Sequence, residues 1–312
     1  MRVGRIQGSW VVELIPEISE FSYGFALTNE IVGWSGLASA PIFPSLIEEG
    51  KKDGGYDVKL DQPGAPLYLQ FKRADYMTRS SATEIKHHGL PLSLPFYRFP
   101  ITQRNKSFQH TSLVTLDDGS NLVFYAAPRF HMLSEINDAW KANDVAARSI
   151  FVAPSAIGLI YDDDKHHVSY DAVHTYICSE PKEIDPVSAN SLRNRMLERI
   201  SSDSRPMREQ LPEWLQNIRE TRTRARETQI KVEAEIEARQ ASTRDRLPAS
   251  APAPRAIVDS QESEPSPTLE LSPEIREGRP LKQEERLLRT ISDEALHGFG
   301  AQLFVVQPVS NG

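Results

Sequence analysis

The sequence predicts an α/β or α+β fold, and three observations lead to this class. Up to about residue 185, short apolar runs of strand length alternate with turn residues. A segment with helical spacing of its apolar residues separates two of these runs. After residue 185 the composition changes to a long charged helix and then to a stretch rich in Pro and Ser. The first part of the chain is therefore predicted to hold the sheet.

The first predicted helix covers residues 17–36, "EISEFSYGFALTNEIVGWSG". The helix is predicted because Phe21, Phe25, Thr28 and Val32 follow the i, i+4, i+7, i+11 spacing of one helical face. Glu20 and Glu30 stand near the two ends of this helix. A carboxylate therefore flanks each end.

A strand, a helix and a second strand are predicted over residues 121–161. "NLVFYAAP" and "IFVAPSAIGLIY" have the composition of strands. The helix between them has one apolar side, formed by Phe130, Leu133, Ile136 and Trp140. A connection of this length favours two parallel strands joined by a right-handed crossover. We therefore expect a βαβ unit here.

Polar residues interrupt a second apolar run, "GGYDVKLDQPGAPLYLQFKRADY", residues 54–76. Side chains alternate along a strand, so Gln70 and Lys72 share one face while Leu69 and Phe71 take the other. A hairpin centred on Pro63 and Gly64 would place Asp57 directly across from Gln70. Their Cβ atoms would then lie roughly 4.5–5.5 Å apart. The pattern predicts a polar site on this face of the hairpin.

The chemistry of this polar face suits a divalent cation. Mg²⁺ prefers oxygen ligands and keeps several waters, so the Asp57 carboxylate, the Gln70 amide oxygen and a substrate phosphate form a reasonable set. Lys72 would lie beside them, where it could help to deprotonate or orient a water that attacks a phosphodiester. The alternative is an amphipathic hairpin whose polar face is merely solvated.

At these residues the sequence resembles the PD-(D/E)XK nuclease superfamily. It resembles in particular the Mrr-like restriction endonucleases, in which Gln often replaces the acidic residue before the lysine. The matching residues are Asp57 in "GYDV" and Gln70, Lys72 and Arg73 in "LYLQFKR". The resemblance implies a restriction-endonuclease-like mixed sheet flanked by helices, with an α-β-β-β-α-β core here over residues 15–155. It also implies Mg-dependent cleavage of DNA, in restriction or phage defence. In that family a helical Glu completes the metal site, and we expect Glu20 in this role, with Glu30 as the alternative.

A basic segment with interleaved aromatic residues follows, "FYRFPITQRNKSFQH". Arg98, Arg104 and Lys106 alternate there with aromatic side chains, as in a loop that grips phosphates and stacks on bases. With Arg73, they are the predicted nucleic-acid-binding residues. A solvated loop is the alternative. Seven of the eight histidines lie between residues 87 and 174 without the i, i+4 spacing of a zinc helix, and most are expected to be surface or hydrogen-bonded.

Beyond the nuclease-like domain, residues 1–185, the chain divides into three parts. Residues 186–247 are predicted to form a charged helical arm with a thin apolar stripe, which projects or pairs weakly. Its helix over residues 206–245 is either a solvated spacer or a coiled arm that binds a protein partner, and we favour the arm because a thin stripe alone gives a long helix little stability. Residues 248–280 are predicted to be a disordered linker. Residues 281–312 combine a C-terminal helix, stopped at Gly298, with a strand "AQLFVVQPV" that could join the main sheet.

The bulk composition indicates a soluble, cytoplasmic protein. The net charge is -7, and the single cysteine excludes an internal disulfide framework. No segment approaches 18 consecutive apolar residues, so we expect no membrane span. Residues 1–200 carry 20 Lys and Arg against 24 Asp and Glu, whereas DNA-binding domains usually show a basic excess. This balance keeps a second hypothesis open, a non-catalytic interaction platform that recruits partners through its arm and tail. Whether the chain forms a homo-oligomer is left open.

Overall fold

The fold is known from a computed structural model, which describes residues 5–6, 9–10, 16–34, 36–41, 58–178, 181–244 and 283–309. The helices are α1 Glu20–Val32, α2 Thr83–Lys86, α3 Gln109–Leu116, α4 Leu133–Lys141, α5 Pro154–Ile157, α6 Ala189–Ser202, α7 Met207–Arg244 and α8 Gln283–Asp293, and a π-helical turn, Glu294–Phe299, continues α8. The strands are β1 Arg5–Ile6, β2 Ser9–Trp10, β3 Leu37–Pro41, β4 Ala65–Phe71, β5 Asp75–Met77, β6 Phe96–Ile101, β7 Leu122–Pro128, β8 Ser149–Val152, β9 His166–Tyr170, β10 Thr175–Ile177, β11 Lys182–Glu183 and β12 Gln302–Pro308.

The architecture is mixed α/β, with two five-stranded sheets and helices around them. The first sheet has the strand order β3-β12-β4-β7-β8, and the second has the order β11-β10-β9-β6-β5. In the first sheet β4 and β7 are parallel, and the other neighbours are antiparallel. All pairs of the second sheet are antiparallel. The coarse class predicted from the sequence is therefore confirmed.

The predicted hairpin around Pro63 and Gly64 is wrong. Strand β4 has β12 on one side and β7 on the other, so no edge is left for the segment that precedes it. Residues 58–64 form a turn that the side chain of Gln307 on β12 holds by hydrogen bonds to Lys59 and Pro63. The physical reason is burial: β12 carries a continuous apolar run that is fully enclosed in the sheet.

The predicted parallel βαβ unit is also wrong, although its two strands and its helix exist. Strands β7 and β8 are antiparallel, and Pro128 pairs with Ser149. The connection between them thus starts and ends at the same end of the sheet, where Arg129 N donates to Arg148 O at 2.7 Å. Because the chain returns where it left, α4 is an excursion from a long hairpin and no crossover forms.

Helix α1 exists as predicted, but a different face is buried. Tyr23, Leu27 and Ile31 are fully enclosed, whereas Phe21 is 83% exposed and Phe25 is 59% exposed. Both stripes follow helical spacing, and the pattern alone does not say which one meets the sheet. Ser19 begins the helix, since its hydroxyl accepts from the backbone N–H of Ser22.

Helix α7 packs along the body of the protein, so the expectation that it projects is wrong. Its buried residues are Met207, Gln210, Leu211, Ile218, Thr221, Ala225, Gln229, Val232 and Ile236. The small and polar members of this set are what made the apolar stripe look thin in the sequence. The helix contacts α3 and α8. Its inner face is therefore covered by the rest of the protein and is not available to a partner.

The C-terminal helix and strand are present as expected, and β12 lies inside the first sheet. The helix runs past the predicted stop at Gly298 through the π-helical turn and ends at Gly300, whose φ is +65°. The predicted linker, residues 248–280, lies outside the described residues, and the division of the chain into four parts stays a prediction. In the described part of the chain, no helix is long and apolar enough to cross a membrane.

Candidate active site at the end of strand β4

Gln70 and Lys72 lie on one face of the first sheet, at the end of β4. Leu67 and Leu69 join the apolar core on the side of α1, α4 and α6, while Tyr68 joins the core on the side of α3 and α7. Gln70 and Lys72 follow Tyr68, as alternation predicts. Each is only 7% exposed. They are therefore buried polar groups and do not form a solvated hairpin face.

Only one end of the Gln70 amide has a hydrogen-bond partner among the described residues. Its Nε2 donates to the carbonyl oxygen of Gly300, 3.2 Å away. Its Oε1 is buried and accepts no hydrogen bond from any residue that the structure describes. An orphaned amide oxygen in a low-dielectric region is costly, and such atoms are often paired with a water, ion or ligand. Gln70 thus keeps a buried amide oxygen that is able to accept from a ligand or to coordinate a cation.

Lys72 carries its charge into this apolar region. Burial lowers the pKa of its ammonium, and the nearby carboxylate of Glu20 partly opposes this shift. The Nζ atom lies 5.4 Å from the ring centroid of Tyr125, which provides a cation–π contact. A buried lysine with a lowered pKa exchanges its proton more readily near neutral pH than an ordinary lysine does.

Tyr125 and His110 form the wall next to Lys72. Tyr125 is the residue that pairs with Gln70 across the parallel strands β4 and β7. Its hydroxyl lies 2.8 Å from Nδ1 of His110, and Nε2 of His110 lies 2.8 Å from the carbonyl oxygen of Gly158. A carbonyl only accepts, so Nε2 carries the proton and Nδ1 accepts from Tyr125. Burial lowers the pKa of His110 to about 4, and the imidazole is neutral at pH 7.

Glu20 reaches the end of β4 from the first turn of α1. Its Oε1 accepts a hydrogen bond from the backbone N–H of Arg73 at 3.3 Å. Glu30, the alternative considered from the sequence, lies at the other end of the helix and accepts from the backbone N–H of Ala146 at 3.1 Å. Glu20 therefore lies at Arg73, directly after Lys72, whereas Glu30 binds Ala146 at the other end of the helix.

The remaining predicted ligand, Asp57, lies outside the described residues. Within the described ranges, His, Cys, Asp and Glu side chains form no group of three that could hold a metal ion. The oxygen donors that the structure does place at this end of the sheet are the Glu20 carboxylate and the Gln70 amide. Both are hard oxygen ligands of the kind Mg²⁺ takes, so the donors present fit such a cation.

The predicted nucleic-acid-binding residues are distributed differently. Arg98 belongs to strand β6 and pairs with Glu84 at 3.0 Å and Asp75 at 3.7 Å. Arg104 pairs with Asp163 at 2.7 Å. Their charges are thus already offset by carboxylates. Arg73, at the candidate site, and Lys106 are exposed.

Sequence reasoning missed three residues of this site, Tyr125, His110 and Gly300. Tyr125 could have been found only if β7 had been recognised as the parallel neighbour of β4. His110 belongs to the hydrogen-bonded histidines that were expected, yet nothing in "SFQHTS" indicates its partners. Gly300 lies 230 residues after Gln70 in the sequence. Its φ is +65°, and the Gln109 side chain packs where a Cβ would lie, so only glycine fits at this position.

Comparison with known proteins adds no constraint to this site, because no family model, no curated protein and no solved structure matches the chain.

Proposed function

We propose that this chain is a metal-dependent nuclease of the restriction-endonuclease-like type that hydrolyses phosphodiester bonds in DNA at the end of β4. The observation that carries the proposal is that a helical carboxylate, Glu20, reaches the end of β4, where its charge acts on the buried Lys72 ammonium, two residues after the buried Gln70. A carboxylate, an amide oxygen and an amine are the groups that hydrolytic chemistry on a phosphate diester needs.

The proposed metal ligands are Glu20 and Gln70, together with Asp57. The orphaned Oε1 of Gln70 supports this role, because a cation would satisfy a buried lone pair that no described residue satisfies. A divalent cation such as Mg²⁺ held there would offset the charge that develops on the phosphate oxygens.

Lys72 is proposed to orient the attacking water and to take or share its proton. Its lowered pKa supports this, since proton transfer is most effective when the pKa of the base is close to the working pH. Tyr125 lies beneath the ammonium, and His110 holds the Tyr125 hydroxyl. These two residues fix the position of Lys72 and are positioning residues in this proposal.

Arg73 is proposed to contact the phosphate backbone at the mouth of the site. It is exposed and directly follows Lys72, and its backbone N–H is tied to Glu20. An exposed arginine beside the buried groups can bind a phosphate through two parallel hydrogen bonds.

The test is cleavage of plasmid DNA, single-stranded DNA and RNA with Mg²⁺, Mn²⁺ or Ca²⁺. We expect Mg²⁺-dependent or Mn²⁺-dependent cleavage of DNA by the wild type, and its loss in Lys72→Met, which keeps the side-chain volume but removes the amine. Asp57→Asn and Glu20→Gln should lose cleavage together with metal affinity measured by calorimetry. Glu30→Gln, at the opposite end of the same helix, is the matched control and should cleave normally. A wild type that cleaves nothing, or a Lys72→Met variant as active as the wild type, would contradict the proposal.

A second candidate function, an interaction platform, is favoured by one surface. Phe21 and Phe25 of α1 and Leu133 and Trp140 of α4 are large apolar side chains that are each at least 45% exposed. The rings of Phe25 and Trp140 contact each other, with centroids 6.4 Å apart. Exposed apolar side chains grouped in this way often mark an interface. If the patch joins two copies, sedimentation velocity will show a dimer that Phe21→Ser with Phe25→Ser dissociates. A wild type that remains a monomer at high concentration would contradict self-association.

A further inference from the structure

A cavity of about 560 Å³ lies between α3, α7 and the π-helical turn. It shares Gly300 with the candidate active site, but its lining contains none of the groups to which the nuclease proposal assigns chemistry. Its size is within the range in which proteins enclose small ligands. Its lining combines three kinds of group: exposed apolar side chains, amides and a basic group. We propose that this cavity binds a nucleotide, either free or as an unstacked nucleotide of a single strand.

The apolar part of the lining is unusually open. Phe108 is 51% exposed, Ile230 is 65% exposed and Leu296 is 39% exposed, and all three line the cavity. Phe108 stands immediately before the first turn of α3, and its half-exposed ring lines the cavity. Base–aromatic stacking is the usual role of such a ring in nucleotide and single-strand sites. A nucleobase would cover a surface that otherwise meets water.

The amide part of the lining contains an orphaned acceptor. Gln229 is 5% exposed, and its Nε2 donates to Glu233 at 3.1 Å. Its Oε1 accepts no hydrogen bond from any residue that the structure describes. Such an atom calls for a ligand that carries a hydrogen-bond donor, and the exocyclic amine of adenine or cytosine is one.

The basic part of the lining is Arg226. Two other charged residues of the cavity are already paired: Arg222 with Glu294 at 2.6 Å, and Glu233 with Arg104 at 3.8 Å. Arg226 is exposed and makes no ion pair with the residues that the structure describes. His297 also lines the cavity. A guanidinium can bind a phosphate group through two parallel hydrogen bonds.

Other ligand classes fit less of this lining. Inorganic phosphate has no apolar face to cover Phe108, Ile230 and Leu296. A fatty acid has no donor for Gln229, and a site that leaves a buried polar atom unpaired discriminates against such a ligand. A nucleotide supplies a planar apolar face, donors on its edge and an anion in one molecule. This inference does not rest on cleavage at the end of β4.

The test is calorimetric titration of the full chain in EDTA, which keeps any metal-dependent cleavage out of the measurement. The probes are AMP, inorganic phosphate and an eight-residue oligo(dA). We expect AMP to bind and phosphate to bind at least about tenfold more weakly. Tighter binding of AMP identifies a free nucleotide, and equal or tighter binding of oligo(dA) identifies a nucleotide within a single strand. Absence of binding by both AMP and oligo(dA), or phosphate binding as tightly as AMP, would overturn the proposal.

Variants assign the binding to this cavity. Phe108→Ala and Gln229→Leu should each weaken AMP binding about tenfold, while Gln229→Leu should be at least as stable as the wild type, because it removes an orphaned atom. Arg226→Gln should weaken binding and reduce its salt dependence. Arg224→Gln, on the same helix but directed at Asp118, is the matched control and should bind normally. Unchanged affinity in Phe108→Ala and Gln229→Leu would place the ligand elsewhere and overturn the proposal.

Discussion

Acidification should weaken this fold through one buried histidine. His110 is 5% exposed, and burial lowers its pKa to about 4 from an ordinary 6.5. As the pH falls, the unfolded chain therefore binds a proton on this residue before the folded chain does. The contribution of neutral His110 to stability is fully present above pH 6.5 and is lost progressively between pH 6.5 and pH 4.

The size of this effect follows from the two pKa values. At pH 5 the proton uptake of the unfolded state should lower the free energy of unfolding by about 2 kcal/mol relative to pH 7. His167 contributes in the same range, because burial lowers its pKa as well. The carboxylates with lowered pKa values, Glu84, Asp118 and Asp171, lose their contributions at lower pH, so pH 5 separates the histidines from them.

The measurement is urea unfolding of the wild type and of His110→Gln at pH 7 and pH 5. The Nε2 of glutamine can still donate to the Gly158 carbonyl, while the titrating group is gone. The loss of stability between the two pH values should be smaller in the variant by about 2 kcal/mol. A variant that loses as much stability as the wild type, or a His110 resonance that titrates near its ordinary pKa, would refute the reasoning.

Three further variants test the packing around the two sites. Gly300→Ala forces a side chain into a left-handed backbone and into the amide of α3 beside it, and it should lower stability by about 2 kcal/mol or more in a thermal melt; Gly89→Ala, with a similar φ of +62° but open space, should lose less. Ile218→Ala, at a fully buried position of α7, should lower stability by about 2–5 kcal/mol in urea, whereas Ile230→Ala should change it by less than about 0.5 kcal/mol; equal effects would mean that α7 is not packed. Lys72→Met should raise the free energy of unfolding at pH 7 by about 1 kcal/mol, because it removes a buried charge, and a destabilised variant would mean that the ammonium supports the fold.

The sequence of β4 predicts its own alternation but not its neighbours. "LYLQF" places Gln70 opposite the Leu face whatever pairs with the strand, because alternation is a property of the single strand. Pairing depends on which other apolar run is buried beside it. Here β12 takes that position from far along the chain, and a nearby turn with Pro63 and Gly64 suggested a local partner instead. Local turn signals carry no information on such a distant competitor.

The two helices show a different limit of sequence reasoning. In α1 two apolar stripes follow helical spacing. The stripe with Tyr23 is buried, whereas Phe21 and Phe25 of the other stripe are largely exposed. In α7 the buried stripe includes Thr221, Ala225 and Gln229, which do not register as apolar positions. Helical spacing therefore identified the helices, while the choice of inward face depended on partners outside each segment.

Gly300 physically connects the two proposed sites. Its carbonyl oxygen accepts from Gln70, while its Cα lies against Gln109 and lines the α3–α7 cavity. The pairing of β12 with β4, which starts at Gln302 and Leu69, keeps Gly300 next to Gln70. A ligand that shifts the turn before Gly300 would therefore release or tighten the Nε2 bond of Gln70 and so reorient its free Oε1. Coupling between two sites requires such a shared element with differential contacts. On this basis AMP binding in the cavity and metal binding at Glu20 and Gln70 should each change the affinity of the other by the same factor, and two independent, uncoupled isotherms would mean that Gly300 is only a structural hinge.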